Sequence, residues 1–240
     1  GYHVLISATD ANDSYLTLAA ERNLDGIIVI GMYPDEFYQQ MKRSRIPIVL
    51  IDSYCNDHYY HNVRIDDAYG SYLATKYVLE RGHRDIAFFC GRIKDNGVMK
   101  KRLAGYRDAL GEYSVEFRDA LVFEGDIDYK DGIESANRLM DTQVNATAVV
   151  AAADILAIGA AKAFYERGVR VPDGISLMGF DDLEISQYLT PGLTTVRQQI
   201  SLKGEKAVEL LIRSINEPEL TKQELILPVS LVERESVKRI

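Results

Sequence analysis

Short apolar runs separated by helix-length spacers constrain the fold of this chain more than any other sequence feature. The runs lie at residues 3–7, 25–31, 46–51, 85–91, 121–126, 146–152, 175–178, 193–196 and 225–232. Segments with helical spacing of apolar residues lie between them, at residues 13–22, 36–43, 68–80, 100–113, 130–141, 155–167 and 201–216. Because strands that alternate with helices pair in parallel, the pattern predicts an α/β protein with right-handed crossovers.

The size and charge of the chain limit its domain organisation and its partners. At 240 residues it exceeds the usual size of one domain, so we expect one large α/β unit or two lobes. Its net charge of −8 argues against direct binding to a nucleic-acid backbone. No apolar run is long enough to span a membrane, and the first residues lack the features of a secretory signal.

The cysteines and histidines favour a reduced protein without a metal or another cofactor. Cys55 and Cys90 are the two cysteines, and free thiols in the cytoplasm are the expected state; a start inside an exported domain is the alternative. Asp57, His58 and His61 lie close together in one polar segment. Because no second cluster has ligand spacing, we favour a surface loop over a zinc site.

A stretch near residue 180 is the most informative part of the sequence. From position 172 it reads Pro-Asp-Gly-Ile-Ser-Leu-Met-Gly-Phe-Asp-Asp, a buried strand that ends in glycine and two carboxylates. Ligands of open α/β sheets bind beyond the carboxyl ends of the strands. We therefore predict that Asp181 contacts a ligand, whereas Asp182 caps the turn that follows.

This stretch resembles the signature of the lac/gal-repressor (LacI) family of bacterial transcriptional regulators. Further blocks typical of the family follow one another in its order, at residues 79–88, 102–106, 153–159 and 227–232. The resemblance implies two Rossmann-like, periplasmic-binding-protein-like lobes with parallel sheets, joined by three crossover strands. The lobes are expected at residues 1–66 with 197–227 and at 67–196 with 228–240. It also implies that a helix-turn-helix headpiece and the first strand and helix of the core precede this chain.

The resemblance further implies a small polar effector, a sugar or sugar derivative, in the cleft between the lobes. Arg102, Asp181, Asp52 and Gln198 match the effector contacts of the family, and an arginine fork with carboxylates suits vicinal hydroxyls. For Arg102 the alternative is a surface pair with a nearby acid. For Asp52 it is a role as a turn residue.

Two other contact positions differ from the family. Ile127 stands where many relatives carry an aromatic ring, and Ala153 stands where they carry a polar side chain. These residues weaken ring stacking on the ligand and remove a hydrogen bond, so the effector cannot be inferred from a familiar relative. Tyr129, Tyr54 and Phe180 are candidates for the missing aromatic face. We expect Asp154 to be a helix N-cap first and a ligand contact second.

The resemblance also implies a symmetric homodimer. Ile158 and the segment from Ile185 to Leu189, including Tyr188, occupy positions at which relatives dimerise, although core packing explains them almost as well. The function we favour is therefore the effector-sensing and dimerising core of a regulator. It would contact operator DNA only through the preceding headpiece. A variant of this hypothesis is control by a docked partner protein.

Two other classes of function compete with the regulator. A solute-binding protein that serves a transporter has the same two-lobed architecture and is the main alternative. An enzyme is less favoured, because the sequence has no dinucleotide or phosphate-binding glycine loop and no nucleophile elbow.

Overall fold

A computed structural model describes residues 1–7, 22–43, 46–55, 59–94, 97–142 and 144–240. The strands are β1 (Ile27–Ile30), β2 (Ile48–Ile51), β3 (His61–Ile65), β4 (Ile86–Gly91), β5 (Val122–Gly125), β6 (Ala148–Ala151), β7 (Ser176–Asp181), β8 (Thr194–Gln198), β9 (Glu224–Leu227) and β10 (Val229–Val232). The α-helices are α1 (Asp35–Met41), α2 (Asp67–Leu79), α3 (Val98–Glu112), α4 (Tyr129–Asp141), α5 (Asp154–Glu166) and α6 (Ile200–Asn216). The predicted α/β fold class is confirmed.

The chain folds into two compact units. Unit 1 comprises Gly1–Arg64 and Ile200–Leu225, and unit 2 comprises Ile65–Gln199 and Ile226–Ile240. The chain therefore passes between the units three times. No helix among the described residues combines the length and apolar character that a membrane span requires.

A four-stranded sheet in the order β1-β2-β3-β9 organises unit 1. β1, β2 and β3 are parallel, with Ile27 opposite Ile48 and Val49 opposite His61. Ile48 and Leu50 of β2 pack with buried side chains of α1. All four residues of β2 are buried, as is typical of a parallel strand that is covered on both faces. The buried cluster consists of Val29, Phe37, Tyr38, Met41, Ile48, Leu50 and Tyr60.

A six-stranded sheet in the order β10-β8-β7-β6-β4-β5 organises unit 2. All its pairings are parallel except that of β10 with β8. Alternate residues of β4 contribute to two different cores: Phe88 packs in the cluster that includes α2 and α3, and Phe89 packs in the cluster that includes α4 and α5. Because β4, β5, β6, β7 and β8 are parallel, their carboxyl ends share one edge of the sheet.

One predicted strand is wrong, one predicted helix is untested, and one strand of the structure was not predicted. Residues 3–7 are exposed and form no strand, since they pair with no strand among the described residues and an extended segment needs a partner to join a sheet. The predicted helix at residues 13–22 falls almost entirely outside the described residues. β3 was not predicted, because it follows a polar aromatic segment that reads as a loop.

The last predicted strand, residues 225–232, is broken at Pro228. β9 joins the sheet of unit 1 and β10 pairs antiparallel with β8. Proline lacks the N–H that a continuous ladder needs, so the strand ends and a new one begins. Pro228 thus lies where the chain leaves one sheet and joins the other.

Candidate functional site

Arg102 is the centre of a buried polar cluster in unit 2. It is the fifth residue of α3, and its Nε donates to the carboxylate of Asp67 at 2.8 Å. Its Nη1 donates to the carbonyl of Ala152 and lies 3.6 Å from Oδ1 of Asp181. The side chains of Arg102 and Asp67 are only 7% and 1% exposed. The alternative of a surface ion pair for Arg102 is therefore wrong, because the acid that pairs with it is buried as well.

Asp181 is the last residue of β7 and faces Arg102 across the sheet edge. Gln198, the last residue of the parallel neighbour β8, donates its amide to Oδ1 of Asp181 at 2.5 Å. Burial raises the pKa of Asp181 to about 6, and the positive charge of Arg102 only partly opposes this effect. The structure therefore brings together three of the predicted ligand residues, Arg102, Asp181 and Gln198.

Phe180 and Gly179 support this cluster from within the sheet. The guanidinium carbon of Arg102 lies 3.7 Å from the centre of the Phe180 ring, an arrangement in which the cation is attracted to the ring face. Phe180 is fully buried, so ordinary packing accounts for it and it is not the aromatic face of a ligand site. Gly179 has no room for a side chain, since a Cβ there would lie 2.1 Å from Oδ1 of Asp154.

Asp154 holds the loop that follows β7. Its carboxylate accepts hydrogen bonds from the backbone N–H of Leu183 at 2.8 Å and from the hydroxyls of Ser186 and Thr195, each at 2.6 Å. The N-cap of α5 is Ala153, which makes no side-chain cap. The prediction that Asp154 caps this helix is therefore wrong, because its side chain turns to three donors from distant parts of the chain.

Asp182 is also a structural residue, but not the predicted cap. Its carboxylate pairs with Arg197 at 2.6 Å and with Arg234 at 2.7 Å. Burial acts to raise the pKa of Asp182, but these two arginines outweigh it and lower the pKa overall. Asp181 and Asp182 have φ angles of 119° and 57°, values that are strained for residues other than glycine. The ion pairs and hydrogen bonds of both carboxylates hold the strained backbone in place.

Ile127 and Ala153 lie at the same edge of the unit 2 sheet. Ile127 follows β5 and is 47% exposed, with its side chain against Gly91 at the end of β4. Ala153 is buried directly after the carbonyl that accepts from Arg102. Both positions carry apolar side chains, so they add no side-chain hydrogen bond to the cluster around Arg102.

Asp52, the remaining predicted ligand residue, belongs to unit 1. It follows β2 with a φ of 54°, and Nζ of Lys203 lies 2.6 and 2.7 Å from its two carboxylate oxygens. Lys203 comes from α6 and is almost completely buried. Asp52 is thus both a turn residue and one half of an ion pair, and the sequence did not suggest its partner.

The residues predicted to form a dimer interface differ in their exposure. Ile185 and Tyr188 are 50% and 70% exposed in the loop after β7, whereas Leu189 is half-buried. Ile158 is half-buried on α5. Core packing therefore does not account for Ile185 and Tyr188.

The expected surface loop with Asp57, His58 and His61 is described only in part. The expectation is wrong for His61, which is the first residue of β3 and is buried. Asp57 and His58, from the histidine-containing segment, lie outside the described residues. Where residues are described, no three histidine, cysteine, aspartate or glutamate side chains are grouped to hold a metal ion.

Asp67 is the site residue that the sequence reasoning missed. Asp66 and Asp67 are adjacent at the start of α2, and Asp66 caps the helix by accepting from the N–H of Tyr69. One capping residue is sufficient for this helix, so the second aspartate of the pair indicated that one of the two has another role.

Comparison with known proteins gives concordant results. Residues 75–237 match the family of periplasmic binding protein-like domains. The chain is 34% identical to the HTH-type transcriptional regulator MalR of Clostridium butyricum, covering 98% of this chain and 73% of that protein. It is also similar to the structure of a LacI family transcriptional regulator from Enterococcus faecium with bound ribose, with a TM-score of 0.89, 28% identity and coverage of 98% and 87% of the two chains. A complex of the transcriptional regulator CelR with cellobiose gives a TM-score of 0.85 at 29% identity, with coverage of 92% and 68%.

Proposed function

This chain belongs to the LacI family of transcriptional regulators, and we propose that it senses a sugar or sugar derivative through the cluster around Arg102. The observation that carries the proposal is the position of Arg102 beside Asp181 and Gln198 at the carboxyl edge of the unit 2 sheet. Such edges bind ligands in open α/β folds. Relatives in complex with ribose and cellobiose support a sugar as the ligand class.

The side chains of the cluster suit a polyol. Asp181 is a hydrogen-bond acceptor and the amide of Gln198 offers both a donor and an acceptor, so together they match the two roles of a hydroxyl group. Ile127, which is 47% exposed, is proposed to provide apolar surface for the C–H groups of a sugar. Asp52 is proposed as a further contact from unit 1.

The proposed regulatory step is a shift between two states of the protein. An effector changes operator affinity only if it binds one state more tightly than the other. Operator contact is assigned to a helix-turn-helix domain outside these 240 residues, since a net charge of −8 opposes binding to DNA phosphates. The proposed setting is the cytoplasm, and no catalytic step is part of the proposal.

The proposed assembly is a homodimer built on Ile158, Ile185, Tyr188 and Leu189. The exposure of Ile185 and Tyr188 supports this proposal, because large apolar side chains close together on a surface favour an interface. Analytical ultracentrifugation tests it. We expect a dimer for the wild type and a monomer for Tyr188→Asp, with Tyr165→Asp as the control at another exposed tyrosine.

Calorimetric titration with ribose, glucose, galactose, maltose and cellobiose tests the sensing role. We expect saturable binding of at least one sugar by the wild type and its loss in Arg102→Gln. Arg107→Gln is the matched control, because Arg107 lies on the same helix and pairs with Asp119 at an exposed position. Absence of binding to every sugar by the folded wild type would contradict the proposal.

A further inference from the structure

Asp67 neutralises the guanidinium that the proposed function assigns to the effector site. The contact joins Nε of Arg102 to Oδ1 of Asp67 at 2.8 Å, and the Asp67 side chain is 1% exposed. Since Asp66 already caps α2, the helix N-terminus does not require the carboxylate of Asp67 as its cap. A buried carboxylate is costly unless it is paired, so Asp67 and Arg102 depend on each other.

The pairing changes what Arg102 can recognise. A free arginine fork binds phosphates and carboxylates through two parallel hydrogen bonds. In this protein Nε faces Asp67, Nη1 faces the carbonyl of Ala152 and Asp181, and the ring of Phe180 covers one face of the guanidinium. An incoming anion would have to compete with carboxylates that already hold Arg102.

The charges next to the cluster reinforce this effect. Asp67 and Asp181 place two carboxylates against the one guanidinium of Arg102. The buried carboxylate of Asp154 is close enough to act electrostatically on Asp181. Asp182 pairs with two arginines, Arg197 and Arg234, so that group carries one surplus positive charge. Over all the groups named here, four aspartates stand against three arginines, so the net charge around Arg102 is still negative.

We propose that Asp67 determines the charge selectivity of the effector site, so that the site takes uncharged polyhydroxylated ligands and rejects phosphorylated or carboxylated ones. This inference rests on the proposed function, because it concerns the same site. Neutral hydroxyl groups can share the hydrogen bonds of Asp181 and Gln198 without adding charge. A phosphate group would add negative charge beside two carboxylates that it cannot displace.

Matched pairs of ligands test the proposal. Ribose with ribose 5-phosphate and glucose with glucose 6-phosphate are titrated into the wild type at pH 7.5 and constant ionic strength, by calorimetry. We expect the neutral member of a binding pair to bind at least about tenfold more tightly than its phosphate ester. Asp67→Asn is expected to reduce this ratio by about tenfold or more. Because aspartate and asparagine are of equal size, a change in the ratio reports charge and not the fit of the ligand.

Three further variants make the test specific. Asp67→Glu retains the charge and should keep the preference for neutral ligands. Asp85→Asn removes one carboxylate from an exposed pair with Arg118 before β4, and it should leave the ratio unchanged. Circular dichroism checks the fold of each variant, and Asp67→Ser replaces Asp67→Asn if the latter does not fold.

The outcomes separate this inference from the proposed function. Equal or tighter binding of the phosphate esters by the wild type would overturn the proposed charge selectivity. It would not contradict the effector site itself. An unchanged ratio in a folded Asp67→Asn protein shows that Asp67 is not its determinant. If no sugar and no phosphate ester binds the folded wild type, the proposed function fails and the inference fails with it.

Discussion

The carboxylate of Asp67 and the guanidinium of Arg102 tie the first turn of α2 to α3 through a contact of 2.8 Å. This ion pair depends on a close approach of the two helices. One point of close approach is Gly105, where a Cβ would lie 1.9 Å from the backbone oxygen of Ala68. A glycine three residues after Arg102 therefore allows the site to form.

Gly105→Ala is expected to destabilise the protein by about 1–3 kcal/mol or more, because a backbone oxygen cannot move aside as a flexible side chain can. It should also weaken effector binding, since the helices that carry Asp67 and Arg102 are forced apart. Gly111→Ala is the control on the same helix, where a Cβ meets no atom within 4 Å. The control is expected to gain up to about 1 kcal/mol from helix propensity. Urea denaturation followed by circular dichroism measures both, and equal effects would contradict this account.

Asp181→Asn is expected to stabilise the protein at neutral pH while it impairs effector binding. Burial raises the pKa of Asp181 to about 6 from an ordinary value of 3.8, so its ionised form is costly in the folded state. Removing the charge should add about 1–3 kcal/mol to the free energy of unfolding at pH 7.5.

The pH dependence of this effect has a definite sign. The folded state binds the Asp181 proton more tightly, so this group favours folding progressively as the pH falls from about 6 towards 4. The advantage of Asp181→Asn over the wild type should therefore shrink across the same range. Urea denaturation of both proteins at several pH values measures it, and an advantage independent of pH would be evidence against a buried, ionised Asp181.

Asp154→Ala is expected to cost about 3 kcal/mol or more, because three donors lose their common acceptor inside the protein. The donors are the backbone N–H of Leu183 and the hydroxyls of Ser186 and Thr195. Asp141→Ala, which breaks an exposed pair with Arg167, should cost less than about 1 kcal/mol. Thermal unfolding compares the two variants. Similar losses of stability in the two variants would mean that the hydrogen bonds of Asp154 do not specifically stabilise the fold.

His61 is expected to make unit 1 sensitive to acid. Its Nδ1 accepts from the N–H of Gln223, and its Nε2 is buried without a hydrogen-bond partner in the described part of the chain. Burial lowers the pKa of His61 to about 4 from an ordinary value of 6.5. The unfolded chain therefore takes up this proton first, and the stability present above pH 6.5 is lost as the pH falls towards 4.

His61→Asn tests this prediction, since its amide oxygen can replace Nδ1 as the acceptor. The wild type should lose about 1–3 kcal/mol relative to this variant between pH 6.5 and 4. His3→Asn, at an exposed position, is the control and should follow the wild type. Equal pH profiles for the wild type and His61→Asn would exclude His61 as the cause.

Local sequence patterns predicted the α/β class and most of the strands and helices, although they did not predict β3. The periodicity of apolar residues is a local property, so it predicts strands and helices without knowledge of the tertiary structure. The same local pattern misled at residues 3–7, where an apolar run has no strand partner among the described residues. The glycine and carboxylates at the end of β7 could likewise be located in advance, because a strand end is marked by its own residues.

The pairing of side chains in the site follows from the packing of the folded chain and was not predictable from local sequence. Arg102 pairs with Asp67, thirty-five residues earlier, and Asp154 serves donors from the loop after β7 and from β8. Such contacts depend on how helices and strands pack, and no local pattern records that packing. An aspartate next to the start of a helix is predicted to be its N-cap, even where its side chain instead binds a distant donor. The local sequence is the same in both cases. Which of the two roles such an aspartate has depends on the hydrogen-bond donors that lie near it in the folded protein.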